Sequence, residues 1–234
     1  MENLFKKMGK LSKSKGFNPH WSAWIALFII TILYEALPKV FYWGHSRLMI
    51  CLVILLAIPM LISHRRKNIF IVQILSISIN CLITFYIIMS ISRIVFAAFE
   101  GQIGPKHLLL SAFILWIANI FLFALWYWSL DAGGPHKRDL HQFNEIIAFL
   151  FPQKQIAISA TEIPNAIKNW QPNFIDYLFL AFNTSTAFSP TDTPVLSTWA
   201  KSMTMIQALI SLTIVIILAA RAINIFQTSN YLIS

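Results

Sequence analysis

An all-α integral membrane fold, with about five transmembrane helices and one re-entrant half-helix, is what this chain predicts, and three observations carry it. The 234 residues are 57% hydrophobic and 12% charged, far from the roughly one-quarter charged composition of soluble domains. The mean hydropathy is +0.67. The apolar residues collect in charge-free runs near the roughly 20 residues needed to cross hydrocarbon. Finally, residues 174–226 read as a short apolar helix, a hydroxyl-rich break and a long apolar helix. At this length one compact bundle is expected.

Residues 1–20 form a basic tail carrying Lys6, Lys7, Lys10, Lys13 and Lys15. The first run, 21–37, follows it without a small-residue cleavage site and reads as an uncleaved anchor. Glu35, Pro38 and Lys39 near its end leave an interfacial placement open. The second run, 48–63, contains Pro59, which predicts a kink. The third is 69–92 and the fourth 108–130, which ends in Trp126-Tyr127-Trp128, an aromatic cluster expected near a membrane interface. Residues 21–130 thus form a four-span bundle.

The connector 131–172 opens with Gly133-Gly134-Pro135, a turn that stops the fourth helix. Within it Leu140, Phe143, Ile147 and Leu150/Phe151 recur at helical spacing, with Asp139, His141, Gln142 and Glu145 opposite. That spacing predicts an amphipathic helix on the membrane face or on the bundle. Residues 173–234 hold the half-helix, 174–183, the break, 184–194, and the last span, 199–226. No internal repeat is present, which argues against inverted-repeat transporters.

The formal net charge of +9 is distributed as loop charge. The tail, Arg65-Arg66-Lys67, and Lys137, Arg138, Lys154 and Lys168 of the connector fall on one side when the N-terminus is cytoplasmic. The opposite loops hold Lys39, Arg47, Arg93 and Lys106. Nucleic acid is not an expected partner, because no basic groove or motif accompanies the charge. Cys51 and Cys81 lie in apolar runs and the six histidines show no ligand spacing, so no metal or cofactor is expected. No catalytic motif or pair of intramembrane carboxylates stands out, and Asp131 reads as a capping residue, so no enzyme is expected.

The half-helix is too short to span, and non-helical backbone at membrane depth must be buried in protein or line water. Asn173 is its expected N-cap, with Asp176 in the first turn near the positive end of the helix dipole. Its C-terminal carbonyls would point into the membrane interior, an arrangement that suits a cation. Thr184, Ser185, Thr186, Ser189 and Thr191 follow, closed by Asp192, and these are the expected pore and ion-contacting residues. On the last span Thr204, Gln207, Ser211 and Arg221 share one sector of the helix. Arg221 is expected to pair with Glu35 or to snorkel to the headgroups. Asn80 and Asn119 read as interhelical hydrogen-bond glue.

Residues 174–193 resemble the pore segment of the potassium-channel superfamily, with its aromatic-rich pore helix, threonine-led filter and closing aspartate. The resemblance sets Thr186 on the leading threonine and Asp192 on the aspartate. Ser189, Pro190 and Thr191 stand where that family has Gly-Tyr-Gly. Without those glycines a ladder of backbone carbonyls is not expected, which leaves hydroxyl contacts or a sealed relic. The strings FLFALWYWSLDAGGP (121–135), FLFPQ (149–153), DYLFLAFNTSTAFSPTDTPVLSTWAK (176–201) and AARAINI (219–225) are similar to an uncharacterised family of bacterial integral membrane proteins. That likeness implies a bacterial inner-membrane location and no particular activity.

Two readings stay open. One is a monovalent-cation channel closed by a cyclic homo-oligomer, a tetramer by analogy. The other is a non-conducting scaffold or transporter component whose re-entrant hairpin is structural, with Thr193 as N-cap and Pro194 at the first position of the last helix.

Overall fold

The computed structural model of the chain describes residues 19–42, 46–66, 68–100, 103–135, 138, 147–159, 170–186 and 192–231. Its helices are α1 (Pro19–Glu35), α2 (Ser46–Arg65), α3 (Ile69–Glu100), α4 (Pro105–Leu130), α5 (Pro152–Ser159), α6 (Phe174–Thr186) and α7 (Thr198–Tyr231). Short 3-10 turns follow α1 and α4, at Lys39–Phe41 and Asp131–Gly133. The described residues form no strand. Extended backbone pairs at one isolated antiparallel bridge, Phe149 with Val195. Helices α3, α4 and α7 are long and apolar enough to cross a membrane, while α1 and α2 are apolar but shorter.

Helix α4 is the axis of the bundle. It packs against α1, α3, α6 and α7, and α2 lies outside on α3. Of its apolar window 67% is buried, against 33% for α3 and 22% for α7. Its apolar residues run all round the helix, as a helix packed on every side requires. Pro105 starts it at the position where a missing N–H costs nothing. The outer surface is apolar as well, with Phe28, Leu55, Phe70, Phe96, Phe99 and Leu209 exposed. So extensive an exposed apolar surface marks a molecule whose surroundings are not water.

Several expectations need correction. Helix α3 continues past Ser92 to Glu100, and α2 extends to Arg65 with Pro59 inside it. Trp126, Tyr127 and Trp128, at the C-terminal end of α4, are buried in the bundle. The helix read over 140–151 does not extend over its last residues, since 147–151 are non-helical. Asp139, Leu140, His141, Gln142, Phe143 and Glu145 lie outside the described residues. Helix α6 runs three residues further than read, so Thr184, Ser185 and Thr186 are helical. Helix α7 starts at Thr198, four residues after Pro194. The Ser197 Oγ accepts the Ala200 amide at 3.4 Å, so Ser197 rather than Thr193 caps it.

Candidate functional site

Two buried polar clusters fix α6 against α4 and α7. The first gathers at the C-terminal end of α4. Asp131 is 1% exposed. Its Oδ1 accepts the Ala148 amide at 2.7 Å and its Oδ2 accepts the Tyr177 hydroxyl at 2.6 Å. Arg138, also buried, donates to the carbonyls of Asp131 (2.6 Å) and Trp128 (2.9 Å). These carbonyls belong to the end of α4, where intrahelical partners run out. The guanidinium lies 5.9 Å from the Trp128 ring centre and 5.2 Å from that of Tyr177, within cation–π range. Gln171 Nε2 donates to the Arg138 carbonyl at 3.0 Å, tying the approach to α6 into the same cluster. Lys154 of α5 stands nearby. Burial lowers its ammonium pKa below the ordinary value, the Asp131 carboxylate opposes that shift and the Arg138 charge adds to it.

The path of the chain follows from this cluster. Tyr177, in the first turns of α6, is held at Asp131. After α6 the backbone returns to the same place, where the Leu196 amide donates to the Ala148 carbonyl at 2.8 Å and the Leu150 amide to the Pro194 carbonyl at 3.0 Å. Gln155 Nε2 also reaches the Asp192 carbonyl at 3.3 Å. The segment from α6 to α7 therefore leaves and re-enters one end of the bundle. Thirteen helical residues carry its tip about 18 Å inward. Asn173 Oδ1 accepts the amides of Ile175 (2.8 Å) and Asp176 (3.3 Å), and Asp176 Oδ2 accepts the Asn173 amide at 2.7 Å, a reciprocal capping box.

The second cluster sits at the inner end of α6. Gln207 Nε2 donates to the Ala181 carbonyl at 2.7 Å and to Ser185 Oγ at 2.8 Å, while its Oε1 accepts the Tyr127 hydroxyl. Ser211 donates to Ser185 at 2.9 Å and accepts Asn119 Nδ2 at 3.0 Å. Asn80 likewise bridges helices, donating to Ser129 Oγ at 3.3 Å. Asn119 is fully buried near the middle of α4, and its Oδ1 has no partner among the described residues.

The sequence-derived set is thereby divided. Ser185, Gln207 and Ser211 converge, inside the chain and against α4. Thr184 and Thr186 donate to carbonyls of their own helix, Leu180 and Phe182, both at 2.9 Å. Thr204 does the same to Lys201. Asp192 is exposed, and Ser189 and Thr191 lie outside the described residues. Arg221 donates to the Ala98 carbonyl in the last turn of α3, a C-terminal position that favours a cation. The expected pair with Glu35 is not formed: the Glu35 side chain is exposed, and its backbone carbonyl accepts Tyr42. Asp131, Arg138, Tyr177 and Tyr127 were missed as a constellation. A charge counted only for sidedness, Arg138, turns out to cap α4. The one legible signal was an aspartate two residues before Gly133-Gly134. Among the described residues no three His, Cys, Asp or Glu side chains could share a metal. Comparison with protein-family models, curated proteins and solved structures finds no match for this chain.

Proposed function

We propose that this chain is a multi-pass membrane protein, with α1, α2, α3, α4 and α7 crossing the bilayer and α6 as a re-entrant half-helix. In this reading copies assemble in a cyclic homo-oligomer, a tetramer by analogy, and conduct monovalent cations in a bacterial inner membrane. The observation that carries it is the return of the chain to one end of the bundle after about 18 Å of α6. A helix ending at that depth, in hydrocarbon about 30 Å thick, directs its carbonyl end at the membrane interior. The hydroxyls of Thr186, Ser189 and Thr191 and the carboxylate of Asp192 then face the symmetry axis and meet the ion.

The test is flux in reconstituted vesicles together with the particle mass in detergent. Asp192→Asn is expected to lower cation flux, and Thr186→Val to change selectivity among monovalent cations. One chain per particle, or flux no greater than in empty vesicles, would sink the channel.

A second reading, a non-conducting scaffold with a structural hairpin, is favoured by Ser185, Gln207 and Ser211 spending their hydrogen bonds within the chain. It predicts no flux, and loss of stability when Gln207 is changed.

A further inference from the structure

We infer that the cleft between α1, α3 and α4 is a binding site for an anionic phospholipid of the adjoining leaflet. Its walls are Trp24 and Leu27 from α1, Met60 from α2, Val72 from α3, and Leu125 and Trp128 from α4. The cleft runs along α3 from Ile69 to Ile79, a rise of about 15 Å, so it accepts an acyl chain parallel to the helices. Gln73 and Ser76 are the polar groups α3 contributes to the lining, and among the described residues no carboxylate or basic side chain lines it.

Charge at the mouth selects the headgroup. Arg65 and Arg66, both exposed, occupy the turn between Met60 and Ile69, two lining residues. A neutral lipid would gain the apolar contacts but nothing from these cations. A lipid bearing a net negative head gains both, each basic residue near the surface adding about fivefold in affinity. The α4 residues that line the cleft, Leu125, Trp128 and Ser129, are not those that bond α7, Asn119 and Tyr127, so this inference does not depend on conduction.

The experiment uses the full chain purified free of lipid, titrated with phosphatidylglycerol or phosphatidylcholine and read by native mass spectrometry. The anionic lipid is expected to bind the more tightly. Replacing both arginines, Arg65→Gln with Arg66→Gln, is expected to weaken it roughly 30-fold while leaving phosphatidylcholine unchanged. Filling the cleft with Gln73→Trp, or separately with Ser76→Leu, is expected to abolish retention of either lipid, each variant being first checked for wild-type helix content. Equal affinity for the two lipids, an arginine pair without effect, or undiminished binding in both folded filled-cleft variants would overturn the assignment.

Discussion

At Asp131 one carboxylate serves two segments far apart in the chain, Ala148 and Tyr177, while Arg138 beside it closes the end of α4. Burying both charges is costly, and the cost is met because the Asp131 carboxylate and the Arg138 guanidinium find partners in carbonyls, an amide and a hydroxyl. Removing one member strands the rest. Arg138→Ala is expected to destabilise the folded chain by roughly 3–5 kcal/mol, and Tyr177→Phe by about 1–2 kcal/mol. Thermal unfolding in detergent checks both, and an unchanged midpoint for Arg138→Ala would mean the cluster is incidental.

The end of α4 raises a matter of element geometry. Ala132, Gly133 and Gly134 all have positive φ, at 50°, 74° and 92°. This run turns the chain back toward the bundle, so that Asp131 points inward. At Gly134 a Cβ would stand 2.9 Å from the Ser129 carbonyl oxygen, which is backbone and cannot yield. Gly134→Ala is therefore expected to cost more than the roughly 1–2 kcal/mol of left-handed backbone alone. At Ala132 that strain is already borne. Ala132→Gly relieves it but adds roughly 0.5–1 kcal/mol of unfolded-state entropy, so the net change is expected to be near zero. Denaturant midpoints of the two variants distinguish these outcomes. A Gly134→Ala cost no greater than about 1–2 kcal/mol would mean that backbone conformation, not the clash, governs the turn.

For the whole molecule, the lysine and arginine asymmetry predicts an orientation that cysteine labelling can test. With Cys51 and Cys81 replaced by alanine, single cysteines at Lys10, Lys106 and Ile156 can be probed in intact cells with an impermeant thiol reagent. Ile156 is the better probe of α5 because it is 49% exposed whereas Lys154 is half-buried. An N-terminus inside requires reaction at 106 and protection at 10 and 156. Reaction at 156 with protection at 106 would reverse the orientation and with it the side from which α6 enters.

Composition and apolar run length were enough to determine that the chain is helical, that α3, α4 and α7 are of spanning length, and that a short helix precedes the last one. Such features are local: each depends on residues adjacent in the chain, and hydropathy reports them directly. Asn173 with Asp176 was legible for the same reason, since a capping box is written within four consecutive positions. Which polar residues meet was not legible. Ser185 read as a pore hydroxyl because the helix was expected to end at Asn183. One further turn of α6 instead brings it onto Gln207 and Ser211, across from Asn119. Arg221 read as a partner for Glu35 or as a side chain snorkelling to the headgroups, yet the crossing of α3 and α7 gives it the Ala98 carbonyl. The pairing of 148–150 with 194–196 joins segments that share no sequence signal. Tertiary structure decided these contacts, because a buried polar group takes whichever complementary group the packing of whole helices delivers.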